Sequence, residues 1–175
     1  VPAMTNLTWT DNCDGTGNVA GTDGALTGGA CGGTITRTWT YTDACGNVGT
    51  ATQTITVDDT TDPTFAAAPA DVTVECVGDV PAMTNLTWTD NCDGTGNVAG
   101  TDGALTGGAC GGTITRTWTY TDACGNVGTA SQTITVDDTT DPTFAAAPAD
   151  VTVECVGDVP AMTNLTWTDN CDGTG

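Results

Sequence analysis

The chain repeats itself every 79 residues, and this periodicity restricts its folds more than any other feature of the sequence. Residues 1–79 and 80–158 differ at one position, where Thr52 corresponds to Ser131, and residues 159–175 begin the unit again. A unit of this length is too long for one turn of a solenoid and suits a small module that folds independently. We therefore expect a segment of a longer tandem array, with two units and the start of a third.

Alternation with a period of two residues predicts β-strands in every unit, and no helical pattern is present. Between Thr113 and Thr121 every second residue is threonine, while large apolar residues occupy most of the positions between them. Similar runs, separated by Gly, Asn and Asp turns, cover residues 71–76, 86–90, 97–105 and 130–136. The predicted fold is all-β, with tandem immunoglobulin-like β-sandwich domains. The expected inner face consists of Val72, Val74, Leu86, Trp88, Ile114, Trp118, Tyr120, Ile134 and Val136.

Turn chemistry sets the expected domain boundaries. The segment from Asp58 to Pro63 is polar, charged and ends in proline, which is typical of a linker. Residues 1–57 are then a partial repeat that lacks its first strand, and residues 58–136 are a complete immunoglobulin-like repeat. Residues 137–175 supply the N-terminal part of a third repeat.

The charge of the chain excludes several classes of function. The sequence has 22 acidic residues against two arginines, with neither lysine nor histidine, and its formal net charge is -20. We therefore expect no nucleic-acid partner, because the chain has no basic patch. Direct membrane insertion is not expected, because no long apolar segment is present. Enzyme activity is not expected either, because the acid–base and nucleophile sets of catalytic sites are missing. Nine cysteines in so short a chain indicate disulfides formed in an oxidising, extracellular compartment.

Several motifs resemble the hyalin-repeat (HYR) type of immunoglobulin-like module. These are the run TWTYTDACGN at residues 117–126, the strand QTITVD at 132–137, the linker DTTDP and the Asp90-Asn91 turn. The version with VTVEC, DNC and DACGN is similar to tandem arrays in giant secreted surface adhesins of Bacteroidota. The resemblance implies an extracellular adhesive or structural rod without catalytic residues. Its partners would be adjacent repeats of the same chain, and other surface molecules or glycans.

The sandwich topology predicts how the four cysteines of each unit pair. Alternate strand ends lie at opposite poles of a sandwich, so the first and third cysteines share one pole while the second and fourth share the other. An alternative stays open because connectivity is not fixed by sequence. In it the cysteines pair sequentially, so that Cys76 and Cys110 are each joined to the next cysteine along the chain. The predicted pairs are Cys76–Cys110, Cys92–Cys124 and, by repetition, Cys13–Cys45.

Acidic residues are expected to crowd the N-terminal pole of the complete domain, where the linker enters. Carboxylates in this number repel one another unless a cation neutralises them, and hard oxygen ligands suit Ca²⁺. Calcium would then stiffen each junction, and no other cofactor is expected. The alternative is that the Asp-rich segments are good turn formers beside a solvated linker. The six candidate ligands are Asp58, Asp59, Asp62, Asp90, Asp93 and Asp122.

The linker also carries candidate modification sites. Its Asp-Thr-Thr sequence resembles the O-glycosylation signal of Bacteroidota, which points to Thr60 and Thr139.

The function expected from these features is a structural stalk or adhesin repeat, forming a long rod or filament on a cell surface, either attached or secreted. One alternative is a glycan-, ice- or protein-binding module built around Trp88 or Trp118. Another is a filament that assembles laterally into a surface layer. Burial of both tryptophans would favour the stalk, whereas an exposed aromatic patch would favour binding.

Overall fold

The computed structural model describes residues 1–108 and 110–175, and it is all-β. We call residues 1–57, 58–136 and 137–175 the first, second and third repeats. The first contains β1 (Leu7–Asp11), β2 (Gly15–Val19), β3 (Thr22–Asp23), β4 (Cys31–Thr42) and β5 (Val48–Asp58). The second contains β6 (Thr64–Phe65), β7 (Val72–Val74), β8 (Asn85–Asp90), β9 (Gly94–Ala99), β10 (Thr101–Asp102), β11 (Cys110–Thr121) and β12 (Val127–Asp137). The third contains β13 (Thr143–Phe144), β14 (Trp167–Asp169) and β15 (Gly173–Thr174). Short 3₁₀ turns cover Val77–Asp79 in the second repeat and Val156–Asp158 in the third.

The chain forms two compact units, each drawn from more than one segment. Unit 1 consists of Val1–Pro63, Thr89–Thr95 and Thr121–Gly128. Unit 2 consists of Thr64–Trp88, Gly96–Tyr120 and Thr129–Gly175. The boundaries expected from the linker, after residues 57 and 136, stay a prediction.

In unit 1 the strands of the first repeat form a β1–β2 hairpin and a β3–β4–β5 sheet. Strands β4 and β5 are antiparallel, and their register places Trp39 opposite Ala51 and Ile35 opposite Ile55. Alternating residues of β4 are buried, as the period-2 pattern requires, and Trp39 keeps only 7% of its surface exposed.

In the second repeat, two sheets are formed in the orders β10–β11–β12–β7 and β6–β8–β9. Strand β7 runs parallel to β12, with Val72 opposite Ile134 and Val74 opposite Val136. The rings of Trp88 on β8 and Tyr120 on β11 stack with centroids 3.6 Å apart. The two rings are nearly parallel, with an interplanar angle of 11°, and the stack joins the two sheets. In the third repeat, β13, β14 and β15 form one sheet.

The core of the second repeat follows the predicted inner face. Trp118, Ile134 and Val136 are fully buried, and the remaining predicted residues are buried or half-buried. Ile114 packs with Ile134 and Val136 at the centre of this cluster. The predicted all-β, immunoglobulin-like pattern of alternation is therefore confirmed at the level of single side chains.

One predicted strand differs from the structure. The run 97–105 is divided at Gly100, with β9 in one sheet and β10 in the other. A side chain at Gly100 would place its Cβ 2.9 Å from the indole of Trp118, so the backbone passes directly over that ring. The alternation in the sequence continues across this crossing, which is why the sequence suggested one strand.

Arg116 lies inside the sandwich between Ile114 and Trp118, with 3% of its surface exposed. Its Nε donates to Asp102 Oδ1 at 2.6 Å and its Nη2 to Asp102 Oδ2 at 2.8 Å, so the ion pair is bidentate. The guanidinium also donates to the carbonyl oxygens of Pro81 and Ala82. Hydrogen bonding from this guanidinium holds the pKa of Asp102 below its usual value.

Candidate metal site and disulfides between repeats

Both disulfides of the structure join one repeat to the next. Cys31 of the first repeat pairs with Cys124 of the second, within unit 1, and their Cα atoms are 5.1 Å apart. Cys76 of the second repeat pairs with Cys171 of the third, within unit 2, with Cα atoms 5.2 Å apart. Both Cα separations lie in the range that disulfides normally span.

These bridges contradict the predicted pairs Cys76–Cys110, Cys92–Cys124 and Cys13–Cys45. The prediction assumed that a cysteine at one pole of a domain finds its partner at the same pole of that domain. In the structure the hairpin that carries Cys124 belongs to the same compact unit as Cys31. The pole assignment was therefore incomplete, since it left out the neighbouring repeat.

The remaining cysteines fit the same pattern. Within residues 1–108 and 110–175, five cysteines are free and exposed: Cys13, Cys45, Cys92, Cys110 and Cys155. Each free cysteine lies 79 or 158 residues along the sequence from the cysteine at the equivalent position of another repeat, and that equivalent cysteine is bridged. The two bridges span 93 and 95 residues.

Three of the predicted carboxylates come together beside the first of these bridges. Asp59 lies in the linker, Asp90 ends β8, and Asp122 begins the turn between β11 and β12. All three belong to unit 1, and one oxygen of each lies within 4.8 Å of an oxygen of both others. We call these three residues the junction triad. Asp59 and Asp122 are buried, with 7% and 6% of their surfaces exposed.

In Asp59 and Asp90, hydrogen bonds hold one of the two carboxylate oxygens, Oδ1. Asp59 Oδ1 accepts from the Thr61 N–H and from Asn91 Nδ2 at 3.2 and 3.1 Å. Asp90 Oδ1 accepts from the N–H groups of Cys92 and Asp93 at 2.8 and 2.7 Å. The other oxygens, Asp59 Oδ2 and Asp90 Oδ2, are buried and have no hydrogen-bond partner among the described residues.

Asp122 is held by its own turn. Its Oδ1 accepts from the N–H groups of Cys124 and Asn126, and its Oδ2 accepts from Asn126 Nδ2 at 2.7 Å. Burial raises the pKa of this carboxyl, but the hydrogen bonds from Asn126, Cys124 and Gly125 outweigh burial and the net pKa is lowered. At neutral pH Asp122 is therefore an anion.

The other three predicted ligands lie outside the triad. Asp58 and Asp62 are exposed. Asp93 is half-buried, and its Oδ2 accepts from the Ala123 N–H at 3.0 Å. The expectation that six carboxylates converge is therefore too broad, because the linker turns only Asp59 inward.

A related cluster with two carboxylates occurs one repeat later in unit 2. Asp138 and Asp169 stand 79 residues after Asp59 and Asp90, and they cluster with the Sγ of Cys171 within 4.8 Å. Cys171 is bonded to Cys76, so it has no thiolate to offer a metal.

Two asparagines that the sequence identified only as turn formers also hold the linker. Asn91, from the DNC motif, donates to the Asp59 carboxylate. Asn126, from the DACGN motif, donates to the Asp59 carbonyl oxygen at 3.0 Å as well as to Asp122. Their recurrence in fixed motifs was the only signal in the sequence, and it did not distinguish a turn from a linker contact.

Gly128 and Glu75 also contact the linkers, Gly128 through close packing and Glu75 through hydrogen bonds. A Cβ at Gly128 would lie 2.0 Å from the carbonyl oxygen of Pro63, so the linker packs directly on this glycine. Glu75 accepts hydrogen bonds from the N–H and the hydroxyl of Thr139 at 2.8 and 2.9 Å, which hold its pKa below the usual value. Thr60 and Thr139 are both exposed, and their glycosylation stays a prediction.

A protein-family model described as an HYR-like domain with 4 cysteines matches residues 1–57 and 64–136. The chain belongs to this family. Comparison with curated proteins and with solved structures gives no significant match. Family membership confirms the predicted resemblance to HYR-like repeats and the immunoglobulin-like character of the fold.

The HYR-like domain is a non-catalytic, adhesion-type module of extracellular proteins, and the disulfides agree with that location. No helix among residues 1–108 and 110–175 has the length and apolar character needed to cross a membrane.

Proposed function

We propose that the HYR-like repeats form a structural stalk on a cell surface, in which each repeat is bonded to the next through side chains as well as through the main chain. The observation that carries this proposal is the connectivity of Cys31–Cys124 and Cys76–Cys171, since neither bridge closes within a single repeat. Disulfides that span repeats limit how far tandem domains separate when the chain is pulled.

The connectivity has a simple mechanical consequence. In the reduced chain a pulling force acts through all 175 residues, which reach about 610 Å when fully extended. With both bridges closed, the shortest covalent path between the ends passes through about 80 residues and reaches about 280 Å. Pairing inside each repeat would leave a path of about 110 residues, or about 390 Å.

In a longer array the effect becomes larger. A path that arrives at Cys124 returns about 14 residues to Cys110, from which the next bridge of the same spacing would start. Each repeat would then extend by at most about 50 Å, against about 280 Å for a reduced repeat. Such a stalk would keep its length under force even when its domains unfold.

The tryptophans support a structural role over a binding role. Trp88 is 8% exposed and Trp118 is fully buried, so neither offers an aromatic surface to a glycan, ice or a protein. Both serve the core, Trp88 by stacking on Tyr120 and Trp118 by donating to the Thr84 carbonyl oxygen at 2.8 Å.

Single-molecule force spectroscopy on the full chain, held at its two ends, tests the proposal. We expect the oxidised chain to reach a final contour length of about 280 Å, rising to about 610 Å after reduction. The double variant Cys31→Ser, Cys76→Ser is the matched control and should behave as the reduced chain. A contour length near 390 Å in the oxidised wild type would contradict the stalk with bonded repeats.

A further inference from the structure

We propose that the junction triad of Asp59, Asp90 and Asp122 is a calcium site. The site goes beyond the proposed stalk, because cation binding depends on these carboxylates and not on the disulfides. Two of its oxygens, Asp59 Oδ2 and Asp90 Oδ2, are buried without a hydrogen-bond partner in the described part of the chain. Buried polar atoms in native proteins are almost always satisfied, so two orphaned carboxylate oxygens in one cluster point to a ligand that satisfies both.

The protein has no cation of its own to place there. Its only basic side chains are Arg37 and Arg116, and each is buried in a bidentate pair with an aspartate of its own repeat, Asp23 or Asp102. Three carboxylates within 4.8 Å of one another are strongly unfavourable in a buried setting without positive charge. The compensating charge must therefore come from solution.

The geometry suits calcium. Ca²⁺ binds oxygen at 2.3–2.6 Å, so ligand oxygens around one ion lie up to about 5 Å apart, and the triad falls within this limit. The oxygens come from a linker, a strand end and a turn, which gives the flexible, carboxylate-rich shell that Ca²⁺ accepts more readily than Mg²⁺.

A related cluster recurs one repeat later. Asp138 and Asp169 occupy the positions of Asp59 and Asp90 one repeat later and again lie together, in unit 2. Among the described residues this second cluster holds two carboxylates and the bonded Cys171 in place of three carboxylates. It should bind calcium more weakly than the triad.

Binding would tie the linker to two loops of the second repeat. Asp59 belongs to the linker, whereas Asp90 and Asp122 belong to the loops that follow β8 and β11. A shared ion would restrain the linker, in addition to the hydrogen bonds from Asn91 and Asn126. Only this stiffening role rests on the proposed stalk.

The test is calorimetric titration of CaCl₂ into chelator-treated, oxidised full chain, with thermal unfolding in parallel. We expect saturable binding, and a rise in Tm of about 5 to 10 °C when calcium exceeds its Kd a hundredfold. The variants Asp90→Asn and Asp59→Asn should each lose one binding equivalent. Both substitutions keep the Oδ1 acceptor that the local turn uses and replace only the unpartnered oxygen.

Asp11→Asn is the matched control. Asp11 is the same residue as Asp90 one repeat earlier, and its Oδ1 accepts from the N–H groups of Cys13 and Asp14 in the same turn. It belongs to no three-residue acidic cluster among the described residues. This variant should bind calcium as the wild type does, so any general damage to the turn is measured separately.

Absence of binding heat and of a Tm shift in the wild type at about 10 mM CaCl₂ would overturn the proposal. Equal binding by Asp90→Asn and the wild type would overturn the assignment to the triad, and equal affinity for MgCl₂ would overturn the assignment to calcium. Free thiols are counted in each sample, because an altered count reports a failure of the disulfides and not of the site.

Discussion

Gly128 gives the sharpest test of how the linker is seated. A Cβ at this position would lie 2.0 Å from the Pro63 carbonyl oxygen and 2.8 Å from its carbon. Carbon–oxygen contacts normally start at about 3.3 Å, so Gly128→Ala requires the linker and β12 to separate by more than about 1 Å. Overpacking of this size costs about 1–3 kcal/mol. For a domain of this length we expect the Tm to fall by about 4 °C or more.

The chain carries its own control for this substitution. Gly49 is the same residue one repeat earlier, and a Cβ added there would meet no atom within 4 Å beyond its own neighbours in sequence. Neither glycine has the positive φ that an alanine would strain. Gly49→Ala should therefore leave the Tm unchanged or raise it slightly, since alanine costs less conformational entropy than glycine in a strand.

Differential scanning calorimetry of the oxidised full chain compares the two variants directly. The sequences around the two glycines are identical except that Ser131 stands where the first repeat has Thr52, so a difference between the variants reports the contact with Pro63. If Gly128→Ala and Gly49→Ala change the Tm equally, the linker does not pack on Gly128 and our account of the junction is wrong.

Two further predictions concern the core of the second repeat. Hydrogen bonds from Arg116 lower the pKa of Asp102, so the stability that this ion pair contributes is present above the ordinary pKa of 3.8 and is lost as the pH falls through the folded-state pKa. Asp102→Asn should remove this part of the acid sensitivity when unfolding is measured as a function of pH. Denaturation curves that do not change would contradict the pairing. Trp118→Ala should lower the free energy of unfolding by about 3–5 kcal/mol, because Trp118 is fully buried. Trp9→Ala should lower it by less in the same urea titration, because Trp9 is only half-buried.

The sequence predicted the elements of the fold because alternation is a local signal. The run from Thr113 to Thr121 places Ile114 and Trp118 on one face, and both are buried. Arg116 alternates onto the same face, where Asp102 is its carboxylate partner. The crossing at Gly100 was missed because the close approach of the Trp118 ring is a tertiary contact.

The candidate site could be predicted only in part, because the direction in which each acidic side chain of a turn or linker points is set by tertiary contacts. Nothing in the sequence shows that Asp59 turns inward while Asp58 and Asp62 remain exposed. The cysteine pairs were wrong because the prediction paired cysteines within one repeat, whereas Cys124 is bonded to Cys31 of the preceding repeat. Connectivity between repeats depends on how closely the linker holds them.

The most direct test of the bonded stalk is a count of free thiols in the oxidised monomer, by alkylation without reduction followed by intact-mass spectrometry. Bridges between repeats leave five free thiols. Pairing inside each repeat, of the first cysteine with the third and the second with the fourth, leaves three of the nine cysteines free, and sequential pairing leaves one. A variant with serine at the five free positions should then form both bridges and take up no alkylating agent. Five adducts in the wild type with none in that variant would confirm the account, whereas one or three adducts in the wild type would contradict it.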